Sequence, residues 1–148
     1  MNKLRHRAPF VALVSAIPLA IVLSGCSVVD PIAHKMRSSS YESAALVADR
    51  WEGEAAWIPS DAADVEIRES TTDDTAVIAL ASGADLDPAL CGVVTRQSAP
   101  AYQIEGTPSA YDASEVYACG NWAVMPTEDG WLGWTPNHPD EAKQSPTP

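Results

Sequence analysis

The chain reads as an α+β domain, with one N-terminal helix packed on a small antiparallel sheet of about five or six strands and closed by one disulfide. Three observations lead there. Residues 64–68, Asp-Val-Glu-Ile-Arg, alternate polar and apolar strictly, the mark of a half-buried strand. Residues 75–82, Thr-Ala-Val-Ile-Ala-Leu-Ala-Ser, are apolar on both alternating sets, which suits a central strand covered on both faces. Beyond residue 26 the chain keeps two cysteines, Cys91 and Cys119, an even pair.

The front of the chain sets the compartment. A basic head with Lys3, Arg5 and Arg7 precedes an apolar run from Ala8 to Val22, and Leu23-Ser24-Gly25-Cys26 closes it. Basic head, apolar middle and small residues at the end are the three parts of an export signal. A permanent membrane helix fits less well. A span needs about 20 apolar residues, this run is shorter, and Pro18 removes a helix hydrogen bond within it. The tetrad resembles the lipobox of bacterial lipoproteins. That resemblance implies cleavage between Gly25 and Cys26, diacylation of the Cys26 thiol, and a mature chain held by lipid on the extracytoplasmic face of the cell membrane. Two acyl chains give stable anchoring where one gives only marginal binding. Residues 1–25 are then the signal peptide and residues 26–38 the lipidated cysteine with its tether. An exported chain meets an oxidising environment, so a Cys91–Cys119 disulfide is expected.

Charge narrows the partners. The 148 residues carry a formal charge of −11, and loss of the three leader bases takes the mature chain to −14. Such a body repels phosphate backbones, so nucleic acid is excluded as a natural partner. The membrane is reached through Cys26 rather than through a basic surface.

The globular domain is expected over residues 39–135. Ser39 with Glu42 three residues on fits a capping box. Tyr41, Ala44, Ala45, Ala48 and Trp51 then share one face of a helix over residues 40–51, and Gly53 stops it. Residues 57–62 form a loop, and residues 64–68 and 75–82 pair as an antiparallel hairpin. Residues 91–95 give a third strand. Residues 96–112, with Pro100, Gly106 and Pro108, read as irregular surface structure. Residues 114–119 give a fourth strand. Residues 121–125 and 131–134 form a terminal hairpin around Asp129-Gly130, where glycine takes a positive φ at no steric cost. From residue 136 to 148 the chain is proline-rich without an apolar anchor, and a disordered tail is expected.

No catalytic, cofactor-binding or metal-ligating residue is expected. His34 and His138 fall outside the predicted domain, which leaves a serine or cysteine nucleophile without a base. Asp73-Asp74, Asp85 with Asp87, and Glu128-Asp129 read as solvated turns rather than as carboxylates facing each other across a cleft. No phosphate-binding or dinucleotide glycine motif occurs. The aromatic set is the remaining lead, because five tryptophans lie in the mature chain. They either fill the core of a domain short of Phe or supply a stacking platform for a sugar or a protein partner. Trp131 and Trp134 fall on opposite faces of one strand, which makes this pair the candidate binding surface.

Segments Trp57-Ile58-Pro59-Ser60-Asp61-Ala62 and Gly133-Trp134-Thr135-Pro136 are similar to segments of uncharacterised actinobacterial lipoproteins, a resemblance that implies no activity. The leading expectation is a non-catalytic, lipid-anchored interaction module for an envelope protein or glycan. The alternative is a cell-wall-directed hydrolase using dispersed carboxylates.

Overall fold

The computed structural model describes residues 35–146. The lipobox, with Gly25 and Cys26, and His34 lie outside the described residues. Among the described residues there are seven strands: β1 Met36–Ser43, β2 Ala63–Ser70, β3 Ala76–Ala81, β4 Gly92–Thr95, β5 Glu115–Cys119, β6 Trp122–Pro126 and β7 Gly130–Thr135. Two short helices accompany them, α1 Ala44–Arg50 and α2 Pro139–Ala142. The strands make one antiparallel sheet in the order β1-β2-β3-β7-β6-β5-β4. A first meander, β1 to β3, is followed by a crossing to the far edge. A second meander, β4 to β7, then walks back until β7 docks on β3.

Both faces of this sheet are covered. On the first face Val65, Ile67, Ile78, Leu80, Trp122, Val124 and Trp131 pack under α1, the loop bearing Trp57, and the crossing segment with Leu86. On the second, Val77, Val94, Val116, Ala123, Met125, Leu132 and Trp134 pack under the irregular segment holding Ile104 and Ala110. Strand β3 is buried at Ala76, Val77, Ile78 and Leu80, the central placement its two-sided apolarity predicts. The β2–β3 hairpin forms as expected, with one extra residue on β2 between Ala63 and Glu66 and Asp64 at φ 48° beside it. Cys91 and Cys119 are joined by a disulfide.

Four expectations are corrected. The helix expected over residues 40–51 is only Ala44–Arg50, capped by Ser43 rather than Ser39, with the Ser43 hydroxyl accepting from the Leu46 amide at 3.4 Å. Residues 36–43 are instead an edge strand, which takes in the end of the expected tether and raises the count to seven strands. The reason is tertiary: Ser39 and Tyr41 stand opposite Ile67 and Val65, and this pairing outweighs the helical spacing that Tyr41 shares with Ala44, Ala48 and Trp51.

The expected tail is also corrected, because residues 136–146 are ordered and packed. α2 carries a full capping box between His138 and Glu141, and Asn137 Nδ2 donates to the carbonyls of Gly120 and Trp122. A buried carboxylate holds the strap down where apolar side chains are lacking. The Asp129-Gly130 turn is present, but Gly130 is not at positive φ. It is needed because a Cβ there would meet the Leu80 carbonyl oxygen at 2.2 Å. The positive φ belongs to Gly120, at 63°, in the tight β5–β6 turn.

Candidate functional site

Strand β2 ends, and β1 and β3 begin, at one end of the sheet, and on the first face a cleft of about 480 Å³ opens there. Its walls come from separate elements. α1 ends at Trp51, whose amide donates to the Val47 carbonyl and whose ring is then held against the sheet. Trp122 starts β6, and its Nε1 donates to the Glu54 carbonyl at 2.9 Å, which fixes the loop that follows Trp51. The two indoles meet edge to face with centroids 6.4 Å apart. Gly53 is required beside the Trp51 ring, since a Cβ there would meet it at 2.3 Å.

Around these rings stand five carboxylates, Glu52, Glu54, Glu69, Asp73 and Asp74, against one guanidinium, Arg37. Glu69 is clamped from two sides. Trp51 Nε1 donates to its Oε2 at 3.0 Å, and Arg37 Nη2 lies 2.8 Å from its Oε1. The Glu69 hydrogen bond and charge raise the Arg37 guanidinium above its ordinary value. Asp73 caps its own turn, accepting from the Thr75 amide at 2.9 Å, and hydrogen bonds from Thr75 hold it below the ordinary carboxyl range. Glu52, Glu54 and Asp74 are exposed and project charge into the opening. Arg37 is consumed by Glu69, so the cleft presents net negative charge beside indole surface. Such a surface suits a cationic or amine-bearing group, drawn by the carboxylates and packed against the rings.

The sequence-predicted residues fall elsewhere. Trp131 and Trp134 do lie on opposite faces of β7 and both are buried, although Trp131 borders an open groove beside Glu66, Glu128 and Asp129. Trp131 Nε1 donates to the Ala84 carbonyl and Trp134 Nε1 to the Ser98 hydroxyl, so each is a core residue with its polar edge satisfied. Alanine at Trp134 is a core truncation costing about 3–5 kcal/mol, not a probe of recognition. Asp73-Asp74 lines the cleft, whereas Asp87 only turns the chain into Cys91, accepting from the Ala89 amide at 2.8 Å. His138 Nδ1 accepts from the Asp140 amide as a helix cap. Among the described residues no group of three or more His, Cys, Asp or Glu is placed to hold a metal ion. The cleft itself was foreshadowed by Trp51-Glu52-Gly53-Glu54, an indole next to two acids across a glycine.

Fold and cleft together define a small, disulfide-closed antiparallel-sheet domain with an acidic recess walled by tryptophan. No family model, curated protein or solved structure matches the chain at a significant level. Among the described residues no helix is long and apolar enough to cross a membrane.

Proposed function

We propose that this chain is a lipid-anchored extracytoplasmic interaction module, and that its acidic tryptophan cleft receives a basic group of an envelope protein or glycan. The carrying observation is the convergence of five carboxylates and two indoles at the sheet end where Lys35 enters the domain. The Lys35 carbonyl accepts from the Thr71 amide at 2.9 Å, so the cleft loop and the incoming chain are neighbours. The lipobox supplies the reason for that placement: a short tether keeps this end near the bilayer and its embedded partners. Within the cleft, hydrogen bonds from Thr75 hold Asp73 below the ordinary carboxyl range, which keeps it charged for attraction.

The test is in-cell crosslinking with the native protein as bait, compared with a Glu52→Gln/Glu54→Gln variant. A partner enriched by the wild type and reduced several-fold in the variant is expected. Equal capture by both would reject the cleft, and turnover of cell-wall fragments lost in the variant would replace binding by hydrolysis.

A further inference from the structure

The irregular segment that covers the second face of the sheet carries Tyr111, which is 75% exposed. Among the described residues it is the one tyrosine or tryptophan ring left largely in water. The ring is nonetheless held. It rides on a short 3₁₀ turn, Ala110–Asp112, capped by the Ser109 hydroxyl, which accepts from the Tyr111 amide at 3.3 Å. Arg96 braces it, with the guanidinium carbon 5.4 Å from the ring centroid. That guanidinium is fixed in turn. Its Nε donates to the Ala113 carbonyl at 2.8 Å and its Nη1 to the Ser98 carbonyl at 2.9 Å. Ring and brace are therefore in place before any ligand arrives, which lowers the ordering cost of binding.

Beside the ring lies a recess of about 180 Å³ floored by Leu132. Tyr102 and Tyr111, with Pro100 and Pro108, make its apolar walls. The prolines lock their own φ angles and stiffen those walls. Gln103, Thr107 and Ser109 supply a polar rim. The Thr107 hydroxyl donates to the Ile104 carbonyl at 2.7 Å and keeps lone pairs to accept. The Ser109 hydroxyl accepts from the Tyr111 amide and keeps its proton to donate. Gln103 carries a donor and an acceptor on one exposed amide. No residue lining the recess is charged, in a chain of formal charge −11, and Arg96 backs the ring from outside it.

These features select an occupant. The space is below the roughly 300–1,000 Å³ of a drug-sized pocket, so it suits one small ring. An ion would find no opposite charge on the walls. A proline-rich peptide docks along an extended aromatic groove, whereas this recess is a single short hollow. What fits is a neutral ring with an apolar face and a hydroxyl-bearing edge, which describes a pyranose. Its C–H face packs on an aromatic ring while its hydroxyls reach the rim.

We infer that the recess beside Tyr111 binds one neutral sugar ring of a glycan, stacked on Tyr111 with its hydroxyls on Gln103, Thr107 and Ser109. The site lies on the face opposite the acidic cleft and does not depend on what the cleft receives.

The test titrates the full chain, solubilised in detergent, with uncharged tetramers of glucose, galactose, mannose and N-acetylglucosamine, followed by NMR. At least one should bind with millimolar affinity, shifting the Thr107, Ser109 and Tyr111 amides and leaving the Trp51 and Trp122 indole signals unmoved. Tyr111→Ala, at an exposed site outside the core, should weaken that binding about tenfold. Tyr111→Phe keeps the ring and should stay within about twofold of wild type. Glu52→Gln/Glu54→Gln should bind the sugar as wild type does, which separates this recess from the cleft. Absence of millimolar binding by every tetramer, or binding unchanged in Tyr111→Ala, would overturn the proposal. So would binding lost in the Glu52→Gln/Glu54→Gln variant, or a proline-rich peptide, and no sugar, shifting the same amides.

Discussion

Glu141 has no exposed surface, yet four donors converge on its carboxylate. The Ser98 amide and hydroxyl donate at 2.9 and 2.5 Å, the His138 amide at 2.8 Å, and the Gln97 amide completes the set. Burial alone would raise the carboxyl, but these hydrogen bonds outweigh it and hold Glu141 below its ordinary value. The sign for stability follows. A carboxyl depressed in the folded state contributes fully above its unfolded pKa, about 4.3, and that contribution is lost as pH falls through the folded value. Glu141→Gln keeps the shape and removes the charge, leaving buried donors facing an amide. The variant should lose about 3 kcal/mol at pH 7, measured by urea unfolding. Its deficit should shrink in acid, where wild-type Glu141 is itself protonated. A deficit unchanged between neutral pH and pH about 3 would show that lost packing, not the carboxylate network, sets the cost.

At the scale of elements, the disulfide joins the start of β4 to the end of β5 across a separation of 28 residues, and β4 is an edge strand whose one strand neighbour among the described residues is β5. Cross-linking a loop of that length stabilises by about 3–4 kcal/mol in the chain-entropy picture. Reduction should therefore lower the unfolding midpoint and loosen β4 first, with amide exchange rising at Val93 and Val94 before it rises in β3. Uniform loosening of the whole sheet would argue that β4 has no separate stability. The β2–β3 hairpin, the β6–β7 hairpin and the disulfide were legible because alternation, an Asp-Gly turn and paired cysteines are local signals. Strand β1 was not legible. Its serines carry no apolar period, and only Ile67 and Val65 across the ladder decide its state. The strap over residues 136–146 was missed for a related reason: its anchors, Asn137 and Glu141, are polar, and composition alone cannot show that their partners are 15 to 44 residues away. The cleft was half legible, since Trp51 and its neighbouring acids adjoin in sequence whereas Glu69 and Trp122 join them only through the fold.

For the whole molecule, the proposed tether, the charge and the cleft would act together. On the proposed lipid-anchored reading, cleavage before Cys26 leaves a formal charge of −14, which an anionic surface would push away. That repulsion is felt over only about 8 Å at physiological salt, and the roughly ten residues between Cys26 and β1 reach at most about 35 Å. The proposed anchor would thus confine the domain to a thin layer above the bilayer with its cleft end on the tether side. Confinement raises the effective concentration of a membrane partner without any new contact. Replacing Cys26 by Ser should move the protein out of the membrane fraction and leave the domain folded, because core and disulfide lie within residues 35–146. Partner capture in cells should then fall far more than affinity for the same partner in solution, which depends on the cleft alone and should weaken as salt rises. A membrane fraction unchanged by Cys26→Ser would remove the lipid anchor from this account. Loss of cellular capture matched by equal loss of solution affinity would mean that the leader end contributes contacts of its own rather than proximity.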